Sequence, residues 1–167
     1  LDIGGNVGES AVKFIKINPN NKIHIFEPIL SRYKIIKAKF LTLKNVKVDN
    51  LGIGIKGKTK IYTPVLYGYK FYSWSSFSKI KLRETLKRHC RRFHFKFKIK
   101  SETVEKKKLD SFNLKPDLIK IDVEGEELNV LKSSEKILKK NKPVIIIEIN
   151  ENPKMVEKYF KRFGYHL

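Results

Sequence analysis

The sequence predicts an α/β fold with a mostly parallel sheet covered by helices on both faces. Three observations predict it. Short apolar runs alternate with amphipathic stretches of helix length. A glycine-rich turn, Asp2-Ile3-Gly4-Gly5-Asn6-Val7-Gly8, joins the first run to the first helical stretch. Acidic residues recur just after the apolar runs, where the carboxyl edge of a parallel sheet would lie.

Each element follows from local pattern. Leu1–Ile3 is read as the end of a first strand. Residues 9–17 (ESAVKFIKI) carry apolar residues at helical spacing and stop before Asn18-Pro19. Lys22–Phe26 (KIHIF) alternates as a second strand, and Leu30–Leu41 presents Ile35, Ile36, Phe40 and Leu41 as a helix face. Asn45–Ile55 is read as strand three. Gly57 allows a turn into a short antiparallel strand over Thr59–Thr63, and Pro64–Ser78, rich in Tyr, Ser and Gly, as a loop. Lys79–Lys100 is a basic insert, with a helix predicted over Ile80–Arg91 and a strand over Phe93–Ile99. Asp117–Ile121 is strand four and Glu126–Lys139 one helix. Pro143–Ile149 is continuously apolar, as a central parallel strand would be. Pro153–Phe163 is a helix closed by Gly164, and Tyr165–Leu167 would open a further strand. The chain lacks an initiator Met and starts inside a strand-to-loop motif, so it reads as truncated at both ends.

Composition bounds the function. The 167 residues suit one domain with a sizeable core. A single cysteine, Cys90, excludes an internal disulfide framework and a Cys-based zinc site. The longest apolar run, Val144-Ile145-Ile146-Ile147, is far too short to span a membrane. No signal peptide is evident, and a cytoplasmic location is expected. The net charge of +20 permits a nucleic-acid partner. Lysine spread over every helix is explained more simply by composition bias and solvated faces.

Glycines in the opening turn let the backbone bend sharply and approach a ligand closely. The helix that follows offers free N–H groups and partial positive charge. The spacing is GGxxG, not the dinucleotide GxGxxG, and no GxxxxGK[ST] is present. Glu27 ends strand two, nineteen residues after Gly8, where an acid accepts hydrogen bonds from both ribose hydroxyls of a nucleoside. Asp2, Glu27, Asp49, Asp122 and Glu148 all fall at or near strand ends, although the chain has only 17 carboxylates. An acidic crevice in so basic a protein suits a cationic ligand. S-adenosylmethionine (SAM) carries a sulfonium and an ammonium against one carboxylate, whereas ATP or NAD would be repelled. After strand four, Lys120-Ile121-Asp122-Val123-Glu124-Gly125-Glu126-Glu127 places Asp122 and Glu124 toward the reacting group. Glu126 and Glu127 fall in the first turn of the next helix, where negative charge is favoured.

With these residues in view, the sequence resembles the FkbM-type SAM-dependent methyltransferases. The likeness is carried by DIGGNVGE (2–9), IFEP (25–28), NVKVDNLGIGIKG (45–57), KLDSF (108–112), LIKIDVEGEELNVLKSSEKIL (118–138) and PVIIIEINEN (143–152). It spans nearly the whole chain except the insert at about 79–100. The resemblance implies one SAM-dependent domain over residues 1–167, a Rossmann-like class I methyltransferase fold, and O-methylation of small molecules, sugars or glycans. It implies that Asp2, Gly4, Asn6 and Gly8 line the methionine end of SAM and that Glu27 holds the ribose. Asn50 and Leu51 would lie near the adenine, and Asp122 and Glu124 toward the transferring methyl. Three departures stand out: Gly5 where Ala is common, Ser133 where Gly is common, and Glu126 in place of a small residue.

Methyl transfer to a hydroxyl requires in-line alignment and removal of the hydroxyl proton. Asp122 is the first choice of base, with Glu124 and Glu148 as alternatives. Of the histidines, His24 is mid-strand and assigned to packing, while His89 and His94 in the insert lie where one could serve the acceptor. Asp122, Glu148 and Asn150 offer oxygen ligands to a divalent cation, but no metal is expected. The insert interleaves Lys79, Lys81, Arg83, Lys87, Arg88, Arg91, Arg92, Lys96, Lys98 and Lys100 with Phe77, Phe93, Phe95 and Phe97. This pattern fits three roles: tracking RNA, covering an acidic glycan, or forming a solvated helix and strand. Tyr72 and Trp74 either line the acceptor pocket or pack in the core. A small-molecule or glycan acceptor is favoured. An RNA methyltransferase, or a non-catalytic nucleic-acid-binding module, is the alternative; [DN]PP[YF], often used for amino-methylation of bases, is replaced here by IDVEG.

Overall fold

The computed structural model describes residues 1–90, 96–149 and 152–166. The elements in order are β1 (Asp2–Ile3), α1 (Glu9–Ile17), β2 (Ile23–Phe26), α2 (Leu30–Lys39), β3 (Val46–Asp49), β4 (Gly52–Ile53), β5 (Gly57–Leu66), β6 (Tyr69–Lys70), α3 (Lys79–His89), β7 (Lys98–Lys107), β8 (Leu118–Ile121), α4 (Glu127–Lys132), α5 (Glu135–Asn141), β9 (Val144–Ile147) and α6 (Pro153–Lys161). Short 3-10 turns cover Tyr72–Trp74 and Leu109–Phe112.

Five strands form a parallel sheet in the order β3-β2-β1-β8-β9. The register pairs Ile3 with both Phe26 and Ile121, Phe26 with Asp49, and Ile121 with Ile147, so the carboxyl ends of all five strands fall in one row. Strand order reverses between β1 and β8, which opens a crevice at that edge. Alternation along β2 explains the two covered faces. Ile23 and Ile25 pack with Ala11 of α1 and with Ile36 and Phe40 at α2. Phe26 packs on the opposite side with Ile3, Ile121, Leu131, Leu138 and Phe160, joining α4, α5 and α6 to the sheet. The expected α/β architecture with both faces covered is therefore observed.

A second sheet, ordered β4-β7-β5-β6, stands beside the first. Its backbone is an antiparallel pairing of β5 with β7, from Gly57 opposite Lys106 to Val65 opposite Lys98. Buried Ile61 and Val104 from this sheet pack on Ile29, with Phe77 and Tyr72 against them, and so fasten it over the start of α2.

Several expectations are corrected. The single strand over 45–55 is two strands in different sheets. The chain leaves the first sheet after Asp49, and Gly52-Ile53 pairs with Lys106-Lys107. The short strand at 59–63 extends over ten residues. The expected loop begins with a tight hairpin whose two central residues, Tyr67 (φ 48°) and Gly68 (φ 86°), both take the left-handed conformation such turns require. The helix expected at 126–139 is broken. Ser133 and Ser134 turn their hydroxyls back onto the Val130 carbonyl (2.8 and 2.7 Å) and so compete with helix continuation. Pro143–Ile149 supplies the edge strand β9 and not a central one, with Val144 63% exposed. Tyr165 and His166 form no strand among the described residues; the Tyr165 hydroxyl donates to the Pro143 carbonyl. The strand expected at 93–99 falls largely outside the described residues, as do Arg91, Arg92, His94, Asn150 and Leu167. Among the described residues no helix is long and apolar enough to cross a membrane.

The KLDSF run explains how the interrupted helix restarts. Asp110 lies in the 3-10 turn after β7, and its carboxylate accepts from the backbone N–H groups of Lys136 and Ile137 (3.0 and 3.1 Å). It caps α5 from outside the helix. Asp110→Ala is expected to lower stability by about 1–2 kcal/mol, as loss of a helix cap does; urea unfolding with an unshifted midpoint would remove this role.

Candidate functional site

The crevice between β1 and β8 holds a hollow of about 330 Å³. That is within the range of small-molecule sites, roughly 300–1,000 Å³. Gly4, Asn6, Glu27, Asp122, Glu124 and Glu148 line it, together with Arg32, Tyr72, Phe77 and others from the segments above. Residues far apart in sequence meet here because they follow the aligned carboxyl ends of β1, β2, β8 and β9.

Gly4 makes this meeting sterically feasible. It has φ 85°, and a Cβ on it would stand 1.8 Å from the Asp122 carbonyl oxygen. Its N–H donates to the Phe26 carbonyl (3.0 Å), which ties the turn to β2. Gly8 also has a left-handed φ of 79° but does not line the hollow; a Cβ there would meet the Phe40 ring at 2.8 Å. Its absent side chain lets α1 pack on the end of α2.

Glu27 is 4% exposed. Its two carboxylate oxygens accept from the backbone N–H groups of Asn6 and Ile29, each at 2.8 Å. Burial nevertheless pushes its carboxyl up to about 7, against the opposing pull of those hydrogen bonds and of Arg32. Asn50 supports Glu27 from behind, donating to the Glu27 and Pro28 carbonyls at 2.9 and 3.0 Å. Asn50 does not line this hollow, and Leu51 is buried in the core.

Asp2 lies beneath the hollow, 0% exposed, with neither carboxylate oxygen hydrogen-bonded. Burial raises its pKa, and Lys120 opposes the rise. The Lys120 ammonium sits 3.6 Å from Asp2 and 3.0 Å from Asp122, and donates to the Gly4 carbonyl at 3.3 Å. It therefore knots β1 to β8 under the site. Sequence reading passed over Lys120, although a period of two along β8 already puts it on the same side as Asp122. Arg32 was also missed; its place in the first turn of the helix after Glu27 was the available signal. Arg32 stacks on Tyr72 (3.9 Å), whose hydroxyl is 2.8 Å from that of Ser31.

Glu124 is held at φ 50°, followed by Gly125 at φ 97°. A left-handed non-glycine residue is strained and marks a constrained turn. Glu124 is solvent-exposed, yet its carboxyl rises to about 7. Partial desolvation contributes most, followed by the negative charges of Asp122, Glu148 and Glu127. The two neighbouring glutamates do structural work. Glu127 is buried and accepts from the Gly125 N–H (2.9 Å). Glu126 makes no cap hydrogen bond and instead pairs with buried Lys106 at 2.6 Å.

Asp49 is the strand-end acid that stays out of the crevice. It binds the His24 ring (2.8 Å), and His24 in turn stacks on Phe26, in keeping with a packing role. Tyr72 lines the main hollow, and Trp74 lines a neighbouring one with His89.

Comparison with known proteins accords with this architecture. No curated protein matches the chain. A solved structure, methyltransferase FkbM from Methylobacillus flagellatus KT, is similar over 87% of this chain, with a TM-score of 0.55 and 16% sequence identity. At that identity the likeness is one of fold. The match covers 31% of that protein, so the present chain spans under a third of its length. The methyltransferase FkbM domain model matches residues 2–167, and the chain belongs to that family.

Proposed function

We propose that the chain carries the SAM-binding and catalytic core of a methyltransferase that O-methylates a hydroxyl of a small molecule, sugar or glycan. The observation that carries this reading is the single hollow shared by Gly4, Glu27, Asp122, Glu124 and Glu148. Among the described residues of that lining four carboxylates stand with one arginine, inside a chain of net charge +20. Such a lining favours a cation and disfavours a polyphosphate.

The residues fit SAM. A carboxylate has about four lone-pair sites. Glu27 spends two on backbone N–H groups, which leaves sites for both ribose hydroxyls. Close approach at Gly4 and the turned backbone at Asn6 leave room for the methionine end. Lys120, paired with Asp2, braces that loop from below through the Gly4 carbonyl. When bound, SAM supplies a methyl group on a positively charged sulfur. Asp122 and Glu148 stabilise positive charge on that side of the hollow. Glu124 is the better general base: its carboxyl titrates near neutral pH, whereas Asp122 is held by Lys120. Glu124 takes the proton from the acceptor hydroxyl as the oxygen attacks.

Glu27→Ala is expected to weaken SAM binding about tenfold or more, by loss of charge-assisted hydrogen bonds. Calorimetric titration with unchanged affinity would reject the ribose role. A carboxyl raised to about 7 is protonated at pH 6 and ionised at pH 8. Hydroxyl donors prefer the ionised form, so SAM affinity should fall about tenfold as pH drops across that interval, and Glu27→Ala should flatten most of the change. An affinity constant over this range in the unsubstituted protein would count against Glu27.

For the base, Glu124→Gln should lower kcat about 100-fold or more while SAM affinity changes little. The unsubstituted enzyme should lose activity as pH falls through 7, where Glu124 takes up a proton. Radiolabelled methyl transfer to hydroxylated acceptors measures both, and near-normal turnover of the variant would remove Glu124 as base.

A further inference from the structure

A second hollow, of about 340 Å³, adjoins the first. The two share Ser73, Ser75 and Glu124, so the acid with the near-neutral carboxyl stands at the boundary. The wall of the second hollow is α3. Leu82, 1% exposed, anchors that helix, and the Ser78 hydroxyl accepts from the Lys81 N–H at its start. Helical spacing stacks positions 81, 84, 85 and 88 on one face. Lys81, Glu84, Thr85 and Arg88 accordingly all face the hollow. His89 completes the row. Its Nδ1 donates to the Thr85 carbonyl (3.0 Å), and its ring lies 5.6 Å from that of Trp74.

The two hollows therefore differ in character. Among the described residues the first gathers four carboxylates with Arg32, whereas the second sets two cations, Lys81 and Arg88, against two carboxylates, Glu84 and the shared Glu124. A cation is favoured in the first, and the second offers an anionic group two charge-assisted donors on one helix face. We propose that the second hollow is the acceptor subsite, taking a hydroxylated small molecule that bears a phosphate or carboxylate. Lys81 and Arg88 hold the anionic group, Glu84 accepts a hydroxyl hydrogen, and the hydroxyl to be methylated points across the boundary toward Glu124. The hollow's modest volume suits a small molecule bearing one anionic group better than a polyanionic RNA backbone. The assignment rests on the methyltransferase reading for its chemistry, while anion binding itself does not require SAM.

Trp74 is the sole tryptophan of the 167 residues, so its fluorescence reports on this hollow directly. The full chain is titrated at constant ionic strength with glucose 6-phosphate, glucuronate and uncharged glucose, with Trp74→Phe as the optical control. At least one charged sugar should change the emission saturably, with phosphate and carboxylate sources told apart by which one acts, and glucose should bind about tenfold more weakly or not at all. The exposed pair Lys81→Gln with Arg88→Gln should weaken the response about tenfold or more, with circular dichroism and SAM affinity unchanged. No saturable response to either charged sugar, or a response undiminished in the double variant, would overturn the proposal. So would tighter binding of a single-stranded uridine oligomer through the same two cations at physiological salt. If the charged sugars bind and SAM does not, the cofactor reading fails and the anion subsite stands.

Discussion

The carbonyl of Asp122 and the α-carbon of Gly4 are so close that no side chain fits between them. The rest of the site depends on this approach. It brings the exits of β1 and β8 together at the point where strand order reverses, and it gives the loop a left-handed path that returns to α1. From that path the Asn6 N–H reaches Glu27, which fixes the carboxylate ending β2. Lys120 ties the same junction from below through Asp2, Gly4 and Asp122. A glycine turn, an acid and a lysine from three adjacent strands thus behave as one unit.

The electrostatics of the hollow follow from crowding. Glu27 and Glu124 both titrate near neutrality, for different reasons. Glu27 is sealed from water and keeps two backbone donors, so burial sets its value. Glu124 stands at the rim, where the nearby acids add to partial desolvation. Two carboxylates with near-neutral pKa values thus share one hollow that has no histidine in its lining among the described residues.

The strands of the first sheet and the glycine and carboxylates of the lining were legible in the sequence because they follow simple local patterns. Alternation in KIHIF, the glycine turn and the acids after strand ends all survive as local signals. What the sequence concealed was non-local. The second sheet is built on β7, where Lys106 occupies an inward position and breaks the apolar alternation; its burial is compensated by Glu126 and the Phe77 ring (4.1 Å), partners no local window includes. The break after α4 depended on two serines bonding backward and on Asp110 reaching across from another segment. The Asn50 amide N–H groups, which support the turn at Glu27 through its carbonyl and that of Pro28, form another link that no local window includes. Lys120 and Arg32 are hidden for a different reason: each is one of 37 basic residues, and only the fold brings it against the carboxylates.

The Lys106–Glu126 pair has a structural consequence. Lys106 belongs to the long antiparallel ribbon whose strands lead to and from the basic segment, while Glu126 starts the helix that follows the turn bearing Glu124. The second sheet is therefore tied to the start of α4 by an ion pair whose lysine is buried, next to the turn that carries Glu124. Removing either partner would leave a charge uncompensated where the two layers meet, so the sequence of the ribbon at this point is constrained by a residue of the other layer.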